Sequence, residues 1–122
     1  MQRKVFGKPL FKMQNTEFKM AEMDTEIEIM QTYVDHCVHE HNEKRLTINM
    51  AAKGKLQLAE IEARMLELGV QQHGGAGYMK EYPICNMYND ARINRILAGS
   101  SEIMKYIIGR DIFADEYSSI LD

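Results

Sequence analysis

Between Met20 and Cys37 the apolar residues Met20, Met23, Ile27, Met30, Val34 and Cys37 recur in alternating steps of three and four. That spacing draws one continuous seam along an α-helix and is incompatible with the period of two of a strand. The pattern predicts a helix from Lys12 to about His41, roughly 45 Å long at 1.5 Å per residue. Phe18, Ile29 and Tyr33 lie off the seam, so this helix is apolar over a wide arc and is expected to touch more than one layer of neighbours. After the polar link His41 to Arg45, a second seam of Ala51, Gly54, Leu58, Ile61, Met65 and Leu68 predicts another helix from about Thr47 to Gln71. Glu60, Glu62, Arg64 and Glu67 fall largely outside that seam. The two helices should pair antiparallel, with Ala51 and Gly54 small enough to let a neighbour approach closely.

The remainder is punctuated by turns. Gly7 and Pro9 are poor in a helix interior, so residues 1–11 read as an extended arm or turn. Gly74, Gly75 and Gly77 stop the second helix, since glycine inside a helix costs about 1 kcal/mol relative to alanine. Glu81-Tyr82-Pro83 is expected to be extended, because the residue before a proline is pushed away from helical angles. A short helix is predicted from Met87 to Ile96. Another runs from Ser100 to about Ile112, capped by Ser100, with Glu102 at its positive end and Ile103, Met104, Ile107 and Ile108 inward. Residues 115–122 read as a loose tail. The expected fold class is all-α, an up-and-down bundle of two long and two shorter helices, in a single domain over 1–122.

Composition narrows the function. With a net charge of −3, no basic face gathers the Lys and Arg that nucleic acid would require. No apolar run approaches the roughly 18 residues of a membrane span, and the chain reads as intracellular. Cys37 and Cys85 are too few and too isolated to suggest a disulfide framework or a zinc site. His36, His39, Glu40 and His41 could group on one helix end, but a polar end beside a loop explains them more simply than a metal does. Ten methionines and no tryptophan fit a helical core with adaptable surfaces.

The run from Gln71 to Arg110 is more specific. Gln71, Gly74, Gly75, Gly77, Tyr78, Glu81, Tyr82 and Pro83, then Asp90-Ala91-Arg92-Ile93, then Gly99, Ser100 and Ile103 stand in one order and spacing. With Arg3, Phe6, Gly7 and Leu10 near the start, they resemble the carboxyl-terminal domain of the flavin-dependent acyl-CoA dehydrogenases. The resemblance covers nearly the whole chain. It implies an FAD cofactor, an acyl-CoA substrate, an electron-transfer flavoprotein as partner, and a homo-oligomer that in the family is a tetramer. It further implies a bacterial cytoplasm or a mitochondrial matrix, and an amino-terminal helical domain, a middle β domain and one more helix before Met1.

By position, Gln71, Gln72, His73, Gly74 and Gly75 would meet the adenosine diphosphate part of an FAD held mainly by a neighbouring subunit. Unpaired N–H groups at a helix end suit phosphate oxygens. From spacing alone these glycines could merely end a helix, and His73 could merely pack. Arg3 would supply charge to the pyrophosphate, with Phe6 packing and Gln14 offering an amide; without the resemblance Arg3 reads as solvated. Val5 and Met13 sit where many members carry a hydroxyl residue and a histidine. Ser100 and Glu102 match positions that meet a flavin bound by the same subunit, and Ala98 and Gly99 border the substrate. Many members place at 98 the glutamate that removes the substrate α-proton, and alanine cannot act as a base. The branch resembling isovaleryl-CoA and long-chain acyl-CoA dehydrogenases has alanine or glycine there and carries its base on the earlier helix, upstream of Met1. A non-catalytic oligomerisation module and an acyl-CoA oxidase domain are the competing readings.

Overall fold

The computed structural model describes residues 3–115, so the expected tail over 115–122 lies outside the described residues except for Asp115, which is helical and exposed. The chain opens with a two-stranded antiparallel hairpin, β1 (Lys4–Val5) and β2 (Lys8–Pro9), with Lys4 opposite Pro9 and Val5 opposite Lys8. Phe6 and Gly7 turn it, both left-handed at φ 52° and 74°, as tight hairpin turns demand. The arm read as extended is therefore a closed hairpin, followed by a 3-10 turn at Leu10–Lys12.

The helix α1 (Gln14–Asn42) is the long helix drawn by the first seam. Lys44, left-handed at φ 60°, reverses the chain, and Thr47 caps α2 (Ile48–His73) by accepting from the Met50 N–H at 3.1 Å. The pairs Thr16–Gln72, Glu26–Arg64 and Tyr33–Met50 run down the two helices in opposite order, so they are antiparallel as expected. Gly54 is buried against the Tyr33 ring, and a Cβ there would already meet it at 3.4 Å. Tyr33 thus faces α2, a correction to its expected place off the seam; its hydroxyl donates to the Met50 carbonyl at 2.8 Å.

Two shorter helices pack on the other side of α2. Pro83 starts α3 (Pro83–Ala91), and a 3-10 turn continues it over Arg92–Arg95. The expected start at Met87 is therefore four residues late. Tyr82 is extended (ψ 129°) as expected of a residue before proline, while Pro83 itself occupies the first helical turn, where its missing N–H costs nothing. Ser100 caps α4 (Ser101–Ile112) as expected.

Among the described residues the buried apolar side chains are Ala52, Ala59, Ile61, Cys85 and Met104, with Thr16 and Ser101 buried beside them. Of the expected seam of α2, Gly54 and Ile61 are buried, but Ala51 and Leu58 are exposed and their neighbours Ala52 and Ala59 are buried in their place. Ile103 also points outward at 51 % exposure, leaving Met104 as the anchor of α4. No helix among the described residues is long and apolar enough to cross a membrane.

Candidate functional site

Two groups of the expected site residues form on α2, one at its carboxyl end and one near its middle. At the carboxyl end, Gly74 leaves the helix with φ 62° and ψ −141°, a conformation that favours glycine. The hairpin brings Arg3 onto this end, where Nη1 donates to the Gln72 carbonyl at 2.8 Å and the Gln71 carbonyl at 3.4 Å. The guanidinium lies so close to Gly74 that a Cβ there would stand 2.7 to 2.9 Å from Nη1, Cζ and Nη2. Gly77 is held against the Val70 backbone, where a Cβ would meet the carbonyl oxygen at 2.5 Å. Gly75 has nothing within 4 Å of the Cβ position.

The end of α2 here is its carboxyl end, where the dipole is negative and the Gln71 and Gln72 carbonyls accept from Arg3; a 3-10 turn starts directly after it at Gly74. The attraction for an anion comes from Arg3, whose charge also offsets those carbonyls. Thr16, which sequence reasoning missed, is 3 % exposed and donates its hydroxyl to the Gln72 side-chain oxygen at 3.3 Å. His73 pairs Nδ1 with the Gly69 carbonyl at 2.7 Å, so Nδ1 carries the proton, and its ring meets Tyr82 edge-on at 6.4 Å. Val5 and Met13 are half-buried, Gln14 is exposed at the start of α1, and Phe6 stands 94 % exposed at the hairpin tip.

The second group surrounds the turn before α4. Ala98 and Gly99 are both left-handed, at φ 53° and 95°, and a Cβ at Gly99 would stand 2.6 Å from the Met104 methyl carbon. Ser100 Oγ accepts from the Ile103 N–H at 3.3 Å, and Glu102 is exposed in the first turn. Beneath them, Glu60 accepts from Ser101 Oγ at 2.7 Å and from Arg95 Nε at 2.9 Å, and its other oxygen lies 2.9 Å from Arg95 Nη2. The Ser101 hydroxyl first, then the Arg95 guanidinium, hold the Glu60 carboxyl below its usual range. Asn94 joins the same junction, donating to both Glu62 oxygens at 3.0 and 3.1 Å and accepting from Lys55 Nζ at 2.8 Å. Glu60 and Glu62, expected on the outer face, thus look inward to the α4 junction. The small Ala52 and Ala59 on the same side of α2 were the available signal. From Glu60 to Gln71 the helix rises roughly 16 Å, which separates the two groups.

The histidine cluster is drawn into other bonding. Glu40 binds Arg45 at 2.9 and 3.1 Å, and that guanidinium is the main cause of its lowered carboxyl pKa. No group of three His, Cys, Asp or Glu side chains that could hold a metal is found among the described residues. Cys37 and Cys85 are free thiols.

Residues 1–113 match the family described as "Acyl-CoA dehydrogenase, C-terminal domain". The mitochondrial long-chain specific acyl-CoA dehydrogenase of Mus musculus is 42% identical over 114 residues, covering 93% of this chain and 26% of that protein. The acyl-CoA dehydrogenase of Geobacillus kaustophilus superposes with a TM-score of 0.88 at 38% identity, over 91% of this chain and 29% of that one. Butyryl-CoA dehydrogenase from Megasphaera elsdenii gives a TM-score of 0.86 at 33% identity, over 92% and 29%. The chain spans about a quarter of the length of the first curated relatives it matches.

Proposed function

The chain belongs to the family of acyl-CoA dehydrogenase carboxyl-terminal domains, and we propose that it serves, as one domain over 1–122, in an FAD-dependent enzyme that introduces an α,β double bond into an acyl-CoA thioester. The observation that carries this reading is the meeting of Arg3 with Gln71, Gln72 and Gly74 on one helix end. An exposed guanidinium beside an open glycine backbone fits a pyrophosphate, and the bare Phe6 ring at the hairpin tip fits an apolar contact with the cofactor or the subunit that holds it.

When bound, FAD supplies the two-electron acceptor. Arg3 would bind its pyrophosphate from across the subunit boundary, and Gly75 would let the backbone come close. Ser100 and Glu102 would border the flavin of the same subunit. Ala98 and Gly99 would line the acyl-CoA without taking its proton, so the general base stands on another segment, in keeping with the long-chain branch. The homo-tetramer, the electron-transfer flavoprotein, a role in fatty-acid or branched-chain amino-acid breakdown, and a bacterial cytoplasmic or mitochondrial matrix setting belong to this proposal. The relatives described are dehydrogenases by name, which favours this reading over an acyl-CoA oxidase or a bare oligomerisation module.

The test is anaerobic addition of acyl-CoA thioesters to the purified polypeptide that carries this domain. The reading expects a bound flavin whose visible absorbance bleaches with a saturating dependence on the thioester. A preparation with no flavin, or a flavin unmoved by thioesters of any chain length, contradicts it.

A further inference from the structure

The turn from Arg95 to Ser101 carries Ala98, Gly99 and Ser100; the Ile96 and Leu97 N–H groups close its first half on the Ile93 carbonyl, both at 2.9 Å. Ala98 is an alanine at φ 53°, a conformation unfavourable for a non-glycine residue that persists only where the surroundings impose it. Oε1 of Glu60 takes the Nε hydrogen of Arg95, immediately before the turn, and the hydroxyl of Ser101, immediately after it. Oε2 takes the second arm of the Arg95 fork. Both ends of a left-handed turn are thus fastened to one carboxylate on the rigid helix α2, and Ser101, at 2 % exposure, has no water to bond instead.

We propose that Glu60 is a positioning residue, which by holding Arg95 and Ser101 on one carboxylate fixes the Ala98–Gly99 turn and so sets the edge of the site toward acyl-CoA and flavin. The functional half of this inference rests on the dehydrogenase reading above; the structural half does not. Glu60 touches neither ligand, and its effect is exerted through the turn. A glutamine at 60 can keep its oxygen where Oε1 stands but turns an NH2 toward Arg95 Nη2 and removes the charge, so the bracket loosens at its Arg95 end while the helix stays intact.

Two measurements on Glu60→Gln and, separately, Ser101→Ala decide it. In the 122-residue chain, amide hydrogen exchange is followed at Leu97 and Ile103, whose N–H groups are bonded within the turn and its cap, and, as reference, in the middle of α1. In the flavin-loaded enzyme, kcat and KM are measured with the same thioester. Exchange at Leu97 and Ile103 is expected to accelerate at least about tenfold relative to α1, and kcat to fall by about 10- to 100-fold with KM little moved, the scale of a misplacement near 1 Å. Should Glu60→Gln fail to fold, Ser101→Ala removes only one hydroxyl and carries the same expectation. Exchange rising equally in α1 and in the turn overturns the proposal, and so does a loosened turn with unchanged kcat. A polypeptide that binds no flavin sinks the dehydrogenase reading instead, while accelerated exchange confined to the turn still upholds the bracket.

Discussion

Charge placement at Glu60 has a consequence for stability that differs from that at Glu40, although both carboxylates sit on an arginine. Glu40 pairs with Arg45 only five residues away, a guanidinium 56 % exposed, so the pair ties no distant elements together and adds little, because water screens the cation and two long side chains lose freedom. Glu60 is partly covered, and the Ser101 hydroxyl, the Arg95 guanidinium and, at longer range, Lys105 all favour its ionised form. Its folded pKa therefore lies below the unfolded value of about 4.3. The stability it contributes is fully present above the unfolded value and is lost as pH falls through the folded one. Urea midpoints measured across the acid range should fall more steeply for the wild-type chain than for Glu60→Gln, and the two curves should converge at low pH. Parallel curves would mean that the bracket is not felt in the folding equilibrium.

Among the elements, the glycine turn after α2 separates two roles that look alike in sequence. Gly77 lies against main chain, with a Cβ 2.5 Å from the Val70 carbonyl and 3.0 Å from its Cα, and neither atom can swing aside. Gly77→Ala should cost about 1–3 kcal/mol by overpacking, whereas Gly75→Ala, entering open space, should stay within about 0.5 kcal/mol. Denaturation midpoints check this, and equal losses at the two positions would contradict the packing account. The same contrast explains what could be read beforehand. The helices α1 and α2 were legible because their apolar residues repeat locally, and Ser100 because a cap is a local device. The start of α3 was not, because Pro83 breaks a helix from within but opens one from its first turn. Glu60 looked like a solvated charge because its partners lie 35 and 41 residues away, beyond any periodic pattern. Thr16 and Gln72, 56 residues apart, were hidden for the same reason. Arg3 and Gln72 are more distant still, and they were brought together beforehand only through the family resemblance.

At the scale of the whole molecule, the surface is too large for the mass. The chain exposes 9171 Å², about a third more than the ~6,700 Å² expected of a compact monomer of 14.1 kDa. Among the described residues no large side chain is fully buried, while Phe18, Ile29, Val38, Ile48, Tyr106 and Ile112 are all more than half exposed. An apolar groove of about 310 Å³ runs between α1 and α2 past Tyr33, Cys37, Leu46 and Leu58. Apolar surface on this scale is what a partner surface in the proposed homo-oligomer would cover. The isolated chain should therefore self-associate, and sedimentation showing monomer alone at tens of micromolar, about the range of a weak interface, would argue against it. In the proposed function Arg3 and the carboxyl end of α2 grip FAD across such a boundary, and the FAD dissociation constant of the assembled enzyme with Arg3, Arg3→Lys and Arg3→Ala measures that grip. A charge-assisted contact of about 1.5–3 kcal/mol predicts a loss of roughly 10- to 150-fold for alanine, a smaller loss for lysine, and little change in oligomeric state. An FAD affinity that is the same in all three proteins would contradict the account.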